Sequence, residues 1–176
     1  MPGLIRSPHI DPSALFAPLS EFRRIALAVS GGPDSLALLL LAADYANLTG
    51  SHDRFVVYSV DHALRPEAAD EVAFVLREAA RFGFFARGLR WDGDKPDTGI
   101  QQAAREARYR LFAAAMRHDA ADVLVTAHHL GDQAETVLMR LAHGSGIEGL
   151  RGMDYLAEVG GLRIVRPLLG IDPQDL

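Results

Sequence analysis

Short apolar runs recur along the chain with helical stretches between them. Arg24-Ile-Ala-Leu-Ala-Val29, Arg54-Phe-Val-Val-Tyr-Ser-Val60, Phe84 to Trp91 and Asp122-Val-Leu-Val-Thr-Ala127 predict four strands. Arg163 to Val165 predicts a fifth. Leu36 to Leu48 is apolar nearly all round and predicts a buried helix. A second helix is expected from Pro66, with Glu67, Asp70 and Glu71 in its first turn, to Arg81, where Gly83 stops it. Ile100 to His118 reads as an amphipathic helix, and a further helix is expected from about Asp132 to His143. Asp92 to Gly99 and Gly144 to Gly152 are rich in turn residues and read as loops. Strands alternating with helices predict an α/β domain: a doubly wound, mainly parallel five-stranded sheet with helices on both faces.

That domain is expected over residues 21–176, with residues 1–20 as a loose lead-in that drapes over it. The first 18 residues hold four prolines and only two charged side chains, which does not suit a signal peptide. The longest apolar run, Leu36 to Ala43, is far short of the ~18 residues of a membrane span.

Composition narrows the chemistry. Of 176 residues 49% are hydrophobic and 23% charged, which suits a folded globular domain. There is no cysteine, so neither a disulfide framework, a thiolate zinc site nor a cysteine nucleophile is available in this sequence. The formal charge of −5 runs against nucleic-acid binding by this stretch alone, because phosphate contacts need a basic surface.

In a doubly wound sheet, ligands bind beyond the carboxyl ends of the strands. The polar clusters at 30–35, 61–65 and 128–135 all follow predicted strands, which argues for one shared site. In the first, Ser30-Gly31-Gly32-Pro33-Asp34-Ser35, paired glycines let the backbone approach an anion, and Pro33 suits the first helical position. The two serines add hydroxyls, and a helix N-terminus favours negative charge. The segment lacks the third glycine of a dinucleotide fingerprint and the lysine of a Walker loop. Taken alone, Gly-Gly-Pro-Asp is also an ordinary turn.

The remaining clusters are less specific. Asp61-His62-Ala63-Leu64-Arg65 reads equally as the approach to a helix. Arg105 and Arg108 lie three apart on a helix with Tyr109 beside them, either a solvated basic face or an anion-neutralising one. His128, Asp132 and Glu135 follow an i, i+4, i+7 rhythm and share a helix face if that helix starts early. Three readings stay open there: a capped helix with exposed polar residues, a hydrolytic metal site, or an acidic pocket that binds an ammonium group and removes its proton.

Ser30 to Ser35 matches the SGGxDS loop of the N-type ATP pyrophosphatases, an adenine nucleotide alpha hydrolase-like family. Asp61 to Arg65 resembles the DHxLR motif of its lysidine synthase branch, Ala104 to Tyr109 its ARxxRY, and Ala127 to Thr136 its AHHxDDxxET. Gly144 to Met153 is similar to its GSGxxGLxGM loop, and Arg166-Pro167-Leu168-Leu169 to its RPLL run. One departure stands out: the first Asp of the usual pair is Gly131.

The resemblance implies a cytoplasmic ligase using ATP with Mg2+, whose substrates are tRNA(Ile) with a CAU anticodon and free L-lysine. It implies that residues 30–35 grip the β,γ-phosphates and that Asp34 positions magnesium or the nucleophile. His62 and Arg65 would lie by the adenosine, and Arg105 and Arg108 would offset phosphate charge. His128, His129, Asp132 and Glu135 would receive lysine, with Asp132 or Asp34 taking its proton. The tRNA grip is expected to need C-terminal sequence beyond this stretch. Thiolating relatives use cysteines and do not fit; a GMP- or NAD-synthetase-type amidoligase and a non-catalytic ATP-binding module are the alternatives.

Overall fold

The computed structural model describes residues 10–142 and 151–176. Its sheet is built from β1 (Ile25–Ala28), β2 (Phe55–Asp61), β3 (Phe85–Arg90), β4 (Val123–Val125), β5 (Leu156–Val159) and β6 (Leu162–Val165). The order is β3-β2-β1-β4-β6-β5, parallel throughout except for β5, which runs antiparallel to β6. The sheet thus has six strands where five were expected. The extra one is an edge strand folded back by the turn Gly160-Gly161, both at positive φ (59° and 75°), a conformation that favours glycine.

The central strands are buried on both faces, which is why they read as continuous apolar runs rather than alternating ones. Ile25, Leu27, Phe55, Val57, Val123, Val125 and Val165 point to one core, and Ala26, Val56, Tyr58, Leu124, Leu162 and Ile164 to the other. The first core is covered by α1 (Pro12–Phe16), α2 (Pro33–Thr49) and α3 (Ala68–Arg81), the second by α4 (Ile100–Asp119). The described part of the expected lead-in is not loose: Phe16 and Leu19 are fully buried, and Phe16 stacks on Tyr45 at 5.5 Å.

A polar tie fastens α4 to the sheet. Arg87 of β3 forks onto Asp119 with bonds of 2.6 and 3.1 Å, and the Tyr58 hydroxyl donates to the same carboxylate at 3.0 Å. The Asp122 carboxylate accepts the N–H groups of Arg23 and Arg24, setting β1 against β4.

The last helix, α5 (Leu130–Ala142), buries none of its described residues. It is held instead through side chains to the segment leading into β5. The Gln133 amide donates to the Met153 carbonyl and accepts its N–H, and Arg140 donates to the Arg151 carbonyl. The glycine-rich loop expected at 144–152 lies, up to residue 150, outside the described residues. Among the described residues no helix is long and apolar enough to cross a membrane.

Candidate nucleotide site

The parallel strands β1, β2, β4 and β6 aim their carboxyl ends at one rim, and the sequence-marked clusters sit along it. After β1 the chain turns through Ser30 and Gly31 into α2. Gly31 has φ +92°, which a side-chain-bearing residue rarely adopts. Gly32 precedes the helix and Pro33 opens it. Ser35 closes the loop: its hydroxyl donates to the Gly32 carbonyl at 2.9 Å and accepts the Ser30 N–H at 3.2 Å. The first turn of α2 leaves its N–H groups without helical partners, so the loop presents backbone donors suited to an anion.

Asp34, in that first turn, stands 3.5 Å from Nε2 of His129. His129 directly precedes α5, and its Nδ1 accepts the Gly131 N–H at 3.0 Å. Asp132 answers by accepting the His129 N–H at 2.8 Å. Together the two side chains cap the first turn, Asp132 satisfying the His129 donor and the His129 ring that of Gly131. The capped-helix reading and the acidic-pocket reading therefore share atoms. A hydrogen bond to Nδ1 places the ring proton on Nε2, facing Asp34, when the imidazole is neutral.

Gly131 has a physical reason to be glycine here. A Cβ at that position would lie 2.8 Å from Cε1 and 3.0 Å from Nδ1 of His129. A side chain there would push the ring out of its place between Asp34 and Asp132.

The expected shared face of His128, Asp132 and Glu135 does not form as such. The helix begins at Leu130, two residues earlier than expected, but still after His128. Asp132 and Glu135 lie one turn apart on α5, with Glu135 exposed. His128 lies in the preceding loop, its Nδ1 2.8 Å from the Thr126 hydroxyl. Burial lowers its pKa, and the charge of Arg166 lowers it further, with Arg108 and Arg105 adding to this against Asp132.

Arg105 and Arg108 both lie over Tyr109, with guanidinium carbons 5.3 and 5.7 Å from the ring centre. After burial, Arg108 is also the main charge that lowers the pKa of His62, so α4 reaches electrostatically across the end of β2. The His62 ring meets Trp91 edge-on at 6.3 Å, and its Nδ1 is buried without a partner among the described residues.

Arg65 pairs with Glu71 at 2.8 Å and lines an open cavity of about 340 Å³ with Asp61, Ala63, Leu64 and Arg90. Among the described residues no group of three or more His, Cys, Asp or Glu side chains is placed to hold a metal ion.

Two features escape sequence reasoning. The Gln133 clamp carries no motif, and Arg166 stands inside a recognisable Arg-Pro-Leu-Leu run without any sign that its side chain is buried.

Comparison with known proteins agrees with the geometry. A model of the PP-loop domain matches residues 9–176. The tRNA(Ile)-lysidine synthase of a Bradyrhizobium strain is 49% identical over 166 residues, covering 94% of this chain and 46% of that protein. That of Rhodopseudomonas palustris is 53% identical over 157 residues, covering 89% and 45%. The chain therefore spans a little under half the length of these curated relatives.

Two solved structures share the fold. The U34-tRNA thiolase NcsA from Methanococcus maripaludis with its 4Fe-4S cluster has a TM-score of 0.72 at 16% identity, over 93% of this chain and 60% of that one. A phosphoadenylyl-sulfate reductase from Candida auris in a phosphate complex has a TM-score of 0.58 at 10% identity, over 94% and 76%. With the family model spanning nearly the whole chain and the glycine turn standing where β1 meets α2, the chain belongs to the PP-loop domain family.

Proposed function

We propose that this chain is the ATP-binding, substrate-activating part of a tRNA(Ile)-lysidine synthase. The observation that carries the reading is the junction of the phosphate loop with the start of α5 through Asp34 and His129. It joins a carboxylate, an imidazole and a second carboxylate at the start of α2, which supports a triphosphate site there. The near-50% identity to named lysidine synthases supports the substrate class.

The reaction has two steps. The O2 of the anticodon wobble cytidine attacks the α-phosphorus of ATP, and the bond to pyrophosphate breaks. The ε-amine of lysine then attacks C2, the C2–O bond breaks, and AMP leaves with its electron pair. The amine must give up a proton to attack. Asp132 or Asp34 accepts it, and Glu135 holds the ammonium end of the amino acid. The Ser30–Ser35 loop binds the β,γ-phosphates, while Arg105 and Arg108 offset charge on the departing pyrophosphate. His62 and Arg65 line the adenosine side.

The Asp34 carboxylate, part-exposed in the first turn of α2, would hold Mg2+ together with phosphate oxygens. Such ions are commonly held by one or two carboxylates plus substrate oxygens rather than by a protein cage. It would neutralise phosphate charge.

Pyrophosphate release from ATP by the full-length protein, with and without lysine and unmodified tRNA(Ile), tests the reading. Release must depend on that tRNA, and labelled lysine must end in it. If tRNA changes nothing, the substrate assignment is wrong. Because Asp132 also caps α5, Asp132→Asn is the informative variant. It keeps an acceptor for the His129 N–H but loses the base, so lysine transfer should fall by about 10²-fold or more while tRNA-dependent pyrophosphate release survives.

A further inference from the structure

We propose that Arg166 is an anion-binding residue of this site, taking an oxygen of the pyrophosphate end of the nucleotide alongside Arg105 and Arg108. The inference rests on the nucleotide reading above and adds a residue that this reading does not use. Arg166 leaves the carboxyl end of β6, the parallel neighbour of β4, two strands from the phosphate loop. At ~4.8 Å per strand that is about 10 Å, a distance that a triphosphate and an arginine side chain together span.

The residue is only 5% exposed, yet it has no carboxylate within ion-pairing distance among the described residues. Its Nη1 donates to the Asp154 carbonyl at 2.8 Å, and its Nε is buried with no partner among the described residues. Burial and the charge of Arg105 both weaken its protonated form, with only Tyr109 and Asp154 opposing. A guanidinium withdrawn from water among like charges is costly unless an anion completes it. Its planar fork matches paired phosphate oxygens. The depth of burial favours a small phosphate anion over an RNA backbone, which tracks the surface.

The test is binding of sodium pyrophosphate and of ATP to the full-length protein, by calorimetry and thermal shift, for wild type, Arg166→Met and Arg166→Lys. Wild type should bind both, and Arg166→Met should bind pyrophosphate at least about tenfold more weakly, as expected for loss of a charged hydrogen bond. The ligand-free melting temperature of Arg166→Met should be unchanged or higher, because an uncompensated buried charge has gone. A purely structural tie to Asp154 would lower it. Arg166→Lys keeps the charge without the fork and should also bind pyrophosphate more weakly, and it decides the matter should Arg166→Met fold poorly.

Pyrophosphate affinity within twofold of wild type in both variants overturns the proposal and leaves the nucleotide reading intact. So does a loss confined to tRNA affinity, which would make an RNA phosphate the ligand. Failure of wild type to bind either ATP or pyrophosphate overturns the nucleotide reading itself, and this inference with it.

Discussion

Gly131→Ala tests whether the glycine in α5 exists to make room for His129. In most helices that change is stabilising, by up to about 1 kcal/mol, because glycine loses more backbone freedom on folding. Here the added methyl would sit 2.8 Å from Cε1 of a ring held on three sides by Asp34, Asp132 and the Gly131 N–H. Forcing a carbon into so tight a contact costs about 1–3 kcal/mol. The two effects set the expected sign: Gly131→Ala is neutral to destabilising by about 2 kcal/mol. In a His129→Ala background the obstruction is gone, and the same substitution should stabilise by about 0.5–1 kcal/mol.

Urea unfolding of the four proteins measures both values with a common slope, and their difference is the coupling. A coupling of at least about 1 kcal/mol is expected. If Gly131→Ala has the same effect in both backgrounds, the ring is not what excludes a side chain. ATP affinity should fall in Gly131→Ala, because a displaced ring no longer orients the Asp34 carboxylate of the phosphate loop.

Asp119→Asn should destabilise the fold by about 2–3 kcal/mol in chemical denaturation, since it breaks a charged fork and leaves Arg87 and Tyr58 short of an acceptor, with Arg87 a third exposed and so partly rescued by water. Burial pushes the Asp119 carboxyl up, but the Arg87 fork and the Tyr58 hydroxyl outweigh it and leave the pKa below its ordinary value. The tie is therefore fully present above about pH 4 and is lost as pH falls through the lower folded value; stability measured against pH should show that acid loss in wild type and not in Asp119→Asn. His128, lowered by burial and then by Arg166, should titrate below its ordinary range by NMR and move back up in Arg166→Met; an unchanged His128 titration would show that the two are not electrostatic neighbours.

The strands were legible because a parallel sheet buried on both faces writes itself as unbroken apolar runs, and the turn from β1 into α2 because Gly-Gly-Pro suits a positive φ at Gly31 and a helix opening at Pro33. The β5–β6 hairpin had a signal in Gly160-Gly161 flanked by apolar residues, but an antiparallel strand on the rim of a parallel sheet breaks the alternation that guided the rest. Phe16 and Leu19 were hidden among prolines, whose presence says nothing of burial. Arg166 was unreadable in principle, since its meaning lies in a missing counter-charge, a property of three-dimensional neighbours.

The start of α5 is the deeper case. His129 is a weak capping residue by type, so Asp132 drew attention as chemistry and the helix was expected to begin there. In three dimensions the Asp132 carboxylate holds the His129 N–H while the His129 ring faces Asp34, so the side chains assigned to lysine activation are also those that start the helix. Removing either by truncation disturbs fold and chemistry together, and a large loss of activity in an alanine variant would not distinguish them. Substitutions that keep the cap and change only proton acceptance, Asp132→Asn foremost, separate the two roles.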